Sequence, residues 1–187
     1  EEPEDLRRFI DEMMVWYLEL ATGKSVLGAL PTRASKLVRA YEALSDDQRS
    51  RLPNDILARV TWVYYLTGLL DLRRGEAARA LDKLNAAANS PDDWLAADAL
   101  YRVARLHVGA ARLKEAVETL EYLLFSTKST EAEVKATYLL AQCLEKLGKP
   151  TIARERYAQL LRRFPDSPYA ERAKAALAPA KPEPAGK

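Results

Sequence analysis

One cysteine, one histidine and only seven glycines occur among the 187 residues of this chain. A lone thiol, Cys143, excludes a disulfide within the chain and leaves the redox compartment open. It sits in an apolar stretch, so it is expected to pack as a small hydrophobe and not to act as a nucleophile. His107 has no cysteine or histidine nearby, which removes the usual zinc spacings, and it is expected as a core or edge residue. With one histidine and no nucleophile-elbow sequence, no hydrolase triad can be assembled. Scarce glycine, with long stretches carrying none, favours helix over sheet. No apolar run approaches the roughly 18 residues of a membrane span. A formal charge of +2 is too small to point to nucleic acid. The string Thr22-Gly23-Lys24-Ser25 resembles the end of a phosphate loop, yet the required upstream glycine would fall at Leu18, inside a helical stretch. A turn is expected there. No catalytic residue, metal ligand or cofactor is assigned.

What is present suits a soluble globular chain: 48% hydrophobic and 30% charged residues. Its charge is unevenly spread. Residues 1–20 hold seven acids and two arginines, whereas residues 150–187 hold eight bases and four acids. That polarity suits head-to-tail association or charged partners at opposite ends, or simply solvated helix faces. The chain opens at Glu1 with no methionine, which points to a trimmed upstream segment, either a truncation or a cleaved signal.

Apolar spacing then gives helices. Leu6, Phe9, Ile10, Met13, Trp16, Tyr17 and Leu20 fall on three-and-four spacing, which predicts a helix over 5–22. Pro31 suits the first turn of a second helix reaching Leu44. Ser45 with Gln48, and Thr130 with Glu133, read as capping boxes. Further helices are predicted over 54–73, from after Gly75 to 88, from Ser90-Pro91-Asp92-Asp93 to 108, and over 112–126, 130–147 and 150–163. A last short one runs to Leu177. The paired acids Asp46-Asp47 and Asp92-Asp93 stand at helix starts, where capping and the helix dipole account for them. The segment 178–187 alternates proline, alanine and charge and is expected to be mobile.

A small residue, then alanine twelve positions on, then a bulky apolar residue four further, recurs three times. The triplets are Gly68, Ala80 and Leu84; Ala104, Ala116 and Leu120; Ala141, Ala153 and Tyr157. Gly68 to Ala104 is 36 positions and Ala104 to Ala141 is 37, the range of stacked helical pairs. Such pairs cannot bury their apolar faces alone, so they stack into an array. The expected fold is all-α, a right-handed α-solenoid of antiparallel helix pairs. Residues 1–53 would form an N-terminal pair, as a degenerate repeat or cap, and residues 54–177 the array with a C-terminal capping helix.

The stretch Tyr138-Leu-Leu-Ala-Gln-Cys-Leu-Glu-Lys-Leu-Gly148, followed by Ala153, Tyr157 and Phe164-Pro165, resembles a tetratricopeptide repeat. The two upstream repeats keep the small and apolar positions. The ending Phe164-Pro165-Asp166-Ser167-Pro168-Tyr169-Ala170 resembles repeats of bacterial cell-envelope proteins, such as the periplasmic partner of the Tol-Pal system and the outer-membrane assembly lipoprotein. A processed lipoprotein would begin with cysteine, and Glu1 departs from that. The resemblance implies a non-enzymatic adaptor, placed in the periplasm or at the outer membrane, with the cytoplasm as the alternative.

In that family the first helix of each pair lines the concave surface. Tyr65, Tyr101 and Tyr138 recur at one position of the three repeats, with Leu69, Arg105 and Gln142 one turn on and Trp62, Asp98 and Lys135 one turn before. Together with Arg102 these ten residues are the candidate partner-binding groove. The tyrosines would offer flat amphipathic area to a peptide, or else pack between helices with their hydroxyls wet. The asparagines of the family's chaperone-tail clamp are missing, which argues against a terminal-carboxylate reader. The leading expectation is a protein-interaction scaffold holding a protein or peptide partner. The alternative is a structural subunit or homo-oligomer packing through convex faces and an N-terminal cluster of Met13, Met14, Trp16 and Tyr17.

Overall fold

The structure, a computed structural model, describes residues 4–21 and 30–178, without the side chains of residues 5, 14, 16–21, 30 and 31. The side chains of Met14, Trp16 and Tyr17, the string Thr22-Gly23-Lys24-Ser25 and the tail 179–187 therefore lie outside what is described. Within them the chain forms ten helices and no strand. They are α1 (Glu4–Ala21), α2 (Leu30–Glu42), α3 (Asp46–Ser50), α4 (Asn54–Arg73), α5 (Ala77–Ala87), α6 (Asp93–Gly109), α7 (Leu113–Ser126), α8 (Thr130–Lys146), α9 (Pro150–Arg163) and α10 (Ala170–Leu177). The chain divides into two compact units, residues 1–103 and 104–187, with the division inside α6. No described helix is long and apolar enough to cross a membrane.

In the first unit α4 and α5 form a hairpin, α2 packs on α4, and α1 packs on both α2 and α4. Met13 of α1 is wholly buried. Gly68 is what lets α5 approach α4. A Cβ built there would stand 3.0 Å from Leu84 Cγ, closer than side chains ordinarily tolerate. Ala80 and Leu84 on α5 have no exposure. Asp71, buried on α4, accepts a 2.6 Å hydrogen bond from Lys83 Nζ on α5, so the charge is paired on leaving water. Tyr64 donates to Glu42 at 3.1 Å, and burial together with that carboxylate pushes its phenol well above the ordinary value. The Tyr41 ring lies between those of Phe9 and Tyr64, at 5.8 and 6.0 Å.

In the second unit α7 packs on α8, α8 on α9 and α9 on α10. Ala104, Ala116, Leu120, Ala141 and Ala153 are wholly buried and Tyr157 nearly so. The three sequence triplets are therefore interior in both units, as close helix crossing requires. Ala141, Tyr157, Leu160 and Ala173 form one cluster, flanked by Tyr138 and Tyr169. Tyr157 ties α9 to α8 by donating to Glu145 at 2.9 Å. Cys143 is buried, and burial pushes its thiol up, consistent with a packed hydrophobe.

The helix ends follow the sequence in part. Ser45 and Gln48 make the reciprocal capping box expected of them. At α8 the cap is Ser129, one residue earlier than Thr130; its hydroxyl accepts from the Ala132 amide, while Glu133 takes Arg163 instead. At α6 the Asp92 carboxylate accepts from the Leu95 amide, and Ser90 Oγ accepts from the Asp92 amide and the Thr61 hydroxyl. Pro91 thus precedes the helix and does not open it. The hairpin turns hold Gly75 at φ +77° and Gly148 at φ +71°, and between them Ala111 at φ +58°.

Candidate functional site

Of the ten groove residues proposed from the sequence, six lie in the first unit, and four of those come together. Trp62 and Tyr65 project from α4 one turn apart; Asp98 and Arg102 do the same from α6. Tyr65 donates its hydroxyl to Asp98 Oδ2, which also accepts from Arg102 Nε at 2.5 Å. Arg102 Nε stands 3.1 Å from the Tyr65 oxygen as well, with its guanidinium over the Tyr65 ring at 5.6 Å. Tyr65 and Asp98 are buried and Arg102 is half-buried. Burial, reinforced by the Asp98 carboxylate, pushes the Tyr65 phenol up to about 12, so it remains a neutral donor. The carboxylate and guanidinium neutralise one another, leaving a fixed and nearly uncharged base.

On that base lies an aromatic pair, Trp62 and a second tryptophan that spacing alone did not single out. Trp94, in the first turn of α6, stacks on Trp62 with centroids 5.8 Å apart and planes at 19°. Trp62 also meets the Tyr65 ring edge-on at 5.8 Å, and Trp94 lies 6.3 Å from it. Trp94 is nevertheless 50% exposed. The repeat template passes over it because its counterpart 36 positions earlier is Ala58. A signal was still present: Trp94 stands one turn before Asp98 on the same stripe of α6. Leu69 and Tyr101 are half-buried in the same unit.

Four candidates lie in the second unit. Tyr138 is half-buried against Tyr157 at 5.7 Å and Tyr169 at 5.0 Å, and Gln142 Nε2 donates to its hydroxyl at 3.4 Å. Lys135 is half-buried and sits 3.7 Å from Glu131. Arg105 is exposed. His107 is half-buried; burial, followed by the charge of Arg112, lowers its pKa below the ordinary value. Among the described residues no group of three or more histidine, cysteine or acidic side chains is placed to hold a metal ion.

Helix hairpins in series, closed by buried small residues, define the class: an all-α protein of α-solenoid type. Residues 134–177, which cover α8, α9 and α10 almost entirely, match the tetratricopeptide repeat family model. None of the curated protein sequences matches the chain. Among solved structures, MamA is similar over 95% of this chain and 99% of its own, at 19% identity and a TM-score of 0.50. A second MamA structure covers 78% of this chain and 80% of its own, at 19% identity and a TM-score of 0.49. TPR-like repeats of kinesin-light-chain type from Podosopora anserina cover 94% of this chain and 86% of theirs, at 14% identity and a TM-score of 0.45. At these identities the likeness concerns the fold.

Proposed function

We propose that the chain is a non-enzymatic protein-interaction scaffold that holds a peptide segment of a partner protein against the α4–α6 aromatic shelf. One observation carries this reading. A tryptophan pair is stacked on a fixed, neutralised Tyr65–Asp98–Arg102 base, and its outer member is half open to water. Large flat rings with one free face supply binding area at low entropic cost, and tryptophan and tyrosine dominate the energetics of such interfaces. The repeat period extends the proposal by analogy to Lys135, Tyr138 and Gln142, the matching positions of the third repeat. The match of residues 134–177 to the tetratricopeptide repeat model supports an adaptor role.

The test is selection of peptides from a random library on the full chain, followed by titration of the enriched peptides. Trp94→Ala should weaken them about 10- to 100-fold, while the chain still folds with a modest loss of thermal stability from the lost stacking on Trp62. Enriched peptides that bind Trp94→Ala as tightly as wild type would overturn the reading.

The reading also includes a place in a bacterial cell envelope, in the manner of the Tol-Pal partner or the outer-membrane assembly lipoprotein. The sequence of the ending from Phe164 to Ala170, which resembles repeats of such proteins, is what supports it. The native protein is expected in the osmotic-shock release or with the outer-membrane fraction; recovery only with the cytosol would remove this part of the proposal.

A further inference from the structure

The most exposed large apolar side chain among the described residues is Phe125 on α7, at 89%, and Tyr122 on the same helix is 58% exposed. Such rings on a helix otherwise well packed mark an interaction surface. Phe125 stands at the edge of a groove of about 360 Å³, with Glu121 and Leu124 on the α7 side, Glu133 and Thr137 of α8 beneath, and Arg156, Gln159 and Arg163 on the α9 side. The two sides carry opposite charge. Exposed on α7 are Glu115, Glu118 and Glu121 with Lys114, a net of −2. Exposed on α9 are Arg154, Arg162 and Arg163 with Glu155, a net of +2, and Arg156 adds a half-buried cation. Arg163 is already paired with Glu133 of α8 and Arg154 donates to the Leu177 carbonyl of α10, so Arg156 and Arg162 carry the row. Both helices pack against α8, each joined to it by a short turn, so they run in the same direction.

An acidic row beside a basic row on parallel helices is its own complement under one operation. A two-fold axis parallel to the helices lays the α7 row of each copy on the α9 row of the other, as an isologous interface demands. The same operation brings the two Phe125 rings together over the groove. An unrelated partner would have to present both rows in the same order and spacing, whereas a second copy presents them by construction. We propose that the chain pairs with a second copy of itself through the α7–α9 face, acidic row on basic row, with Phe125 at the axis. This pairing does not depend on the aromatic shelf of the first unit.

Sedimentation velocity on the full chain tests it. The mass should rise from 21.0 kDa towards twice that value as concentration increases through the micromolar range, and added salt should reverse the rise. Charge reversal by Glu118→Lys with Glu121→Lys should give a monomer, and so should Arg156→Glu with Arg162→Glu. Mixing the two reversed proteins in equal amounts should restore the dimer, since each α7 then faces an α9 of opposite charge. Phe125→Ser, at a ring already in water, provides a variant that keeps the fold and should weaken pairing about tenfold or more. A wild-type chain that stays at 21.0 kDa throughout would overturn the proposal, and so would a mixture that fails to recover the dimer.

Discussion

Ala111 holds φ +58° in the turn where the flanking repeats place Gly75 and Gly148, 36 positions before and 37 after. An L-residue with a Cβ pays about 1–2 kcal/mol for the left-handed region, and glycine does not. Ala111→Gly should therefore stabilise the chain by about 0.5–1 kcal/mol after the added freedom of the unfolded state is deducted. Gly148→Ala should destabilise it by about 1 kcal/mol, since nothing but the backbone angle opposes the new methyl group. Urea titration of both variants checks the pair. His107 supplies a second prediction at this scale. Its folded pKa lies below the unfolded value, so the unfolded chain takes up its proton first as pH falls. The stability present above about pH 6.5 is then lost on acidification. His107→Gln should lose less stability than wild type between pH 7 and pH 5, measured by thermal unfolding at each pH.

Among the helices, the buried alanines set how closely each pair can cross. Ala153 has no exposure and stands on α9 one turn before the buried Tyr157. Ala153→Leu should overpack the α8–α9 crossing and cost about 1–3 kcal/mol. Unchanged unfolding in that variant would contradict the packing. Capping at α8 gives a milder change: Ser129→Ala should cost about 1 kcal/mol, while Thr130→Ala should cost clearly less, because Ser129 bonds the Ala132 amide. These elements also show what could be read in advance. The triplets were legible because close crossing admits only small side chains, and few architectures besides stacked hairpins repeat every 36 or 37 residues. The caps were not: Ser129 and Thr130 stand side by side, as do Asp92 and Asp93, and sequence alone does not say which of two competent neighbours turns out of the helix. Trp94 was missed for a related reason. Its role comes from stacking on Trp62 across two helices, and a template that compares only equivalent positions within repeats does not see a contact between different ones.

For the chain as a whole, stability in a repeat architecture is local, since each hairpin is held by its neighbours and not by a single central core. Ala80→Leu should accelerate amide hydrogen exchange in α4 and α5, while α8 and α9 keep their protection. Mass-resolved exchange on intact protein checks this; uniform acceleration along the chain would mean one cooperative core. Of the uneven charge read from the sequence, the basic excess of residues 150–187 reaches the surface on α9, whereas the acidic row of α7 beside it was not read in advance and appears only once the helices are in place.

Gly68 limits how freely the repeats could be exchanged. Where the second and third repeats carry Ala104 and Ala141, the first has no room for a methyl group unless Leu84 gives way. Lengthening the protein by duplicating a hairpin should therefore work with the later repeats as donors to one another. Grafting an alanine-bearing α4 equivalent onto the first α5 would require Leu84 to shift by a few tenths of an ångström. The array is periodic in sequence, yet its parts are not spare copies of each other.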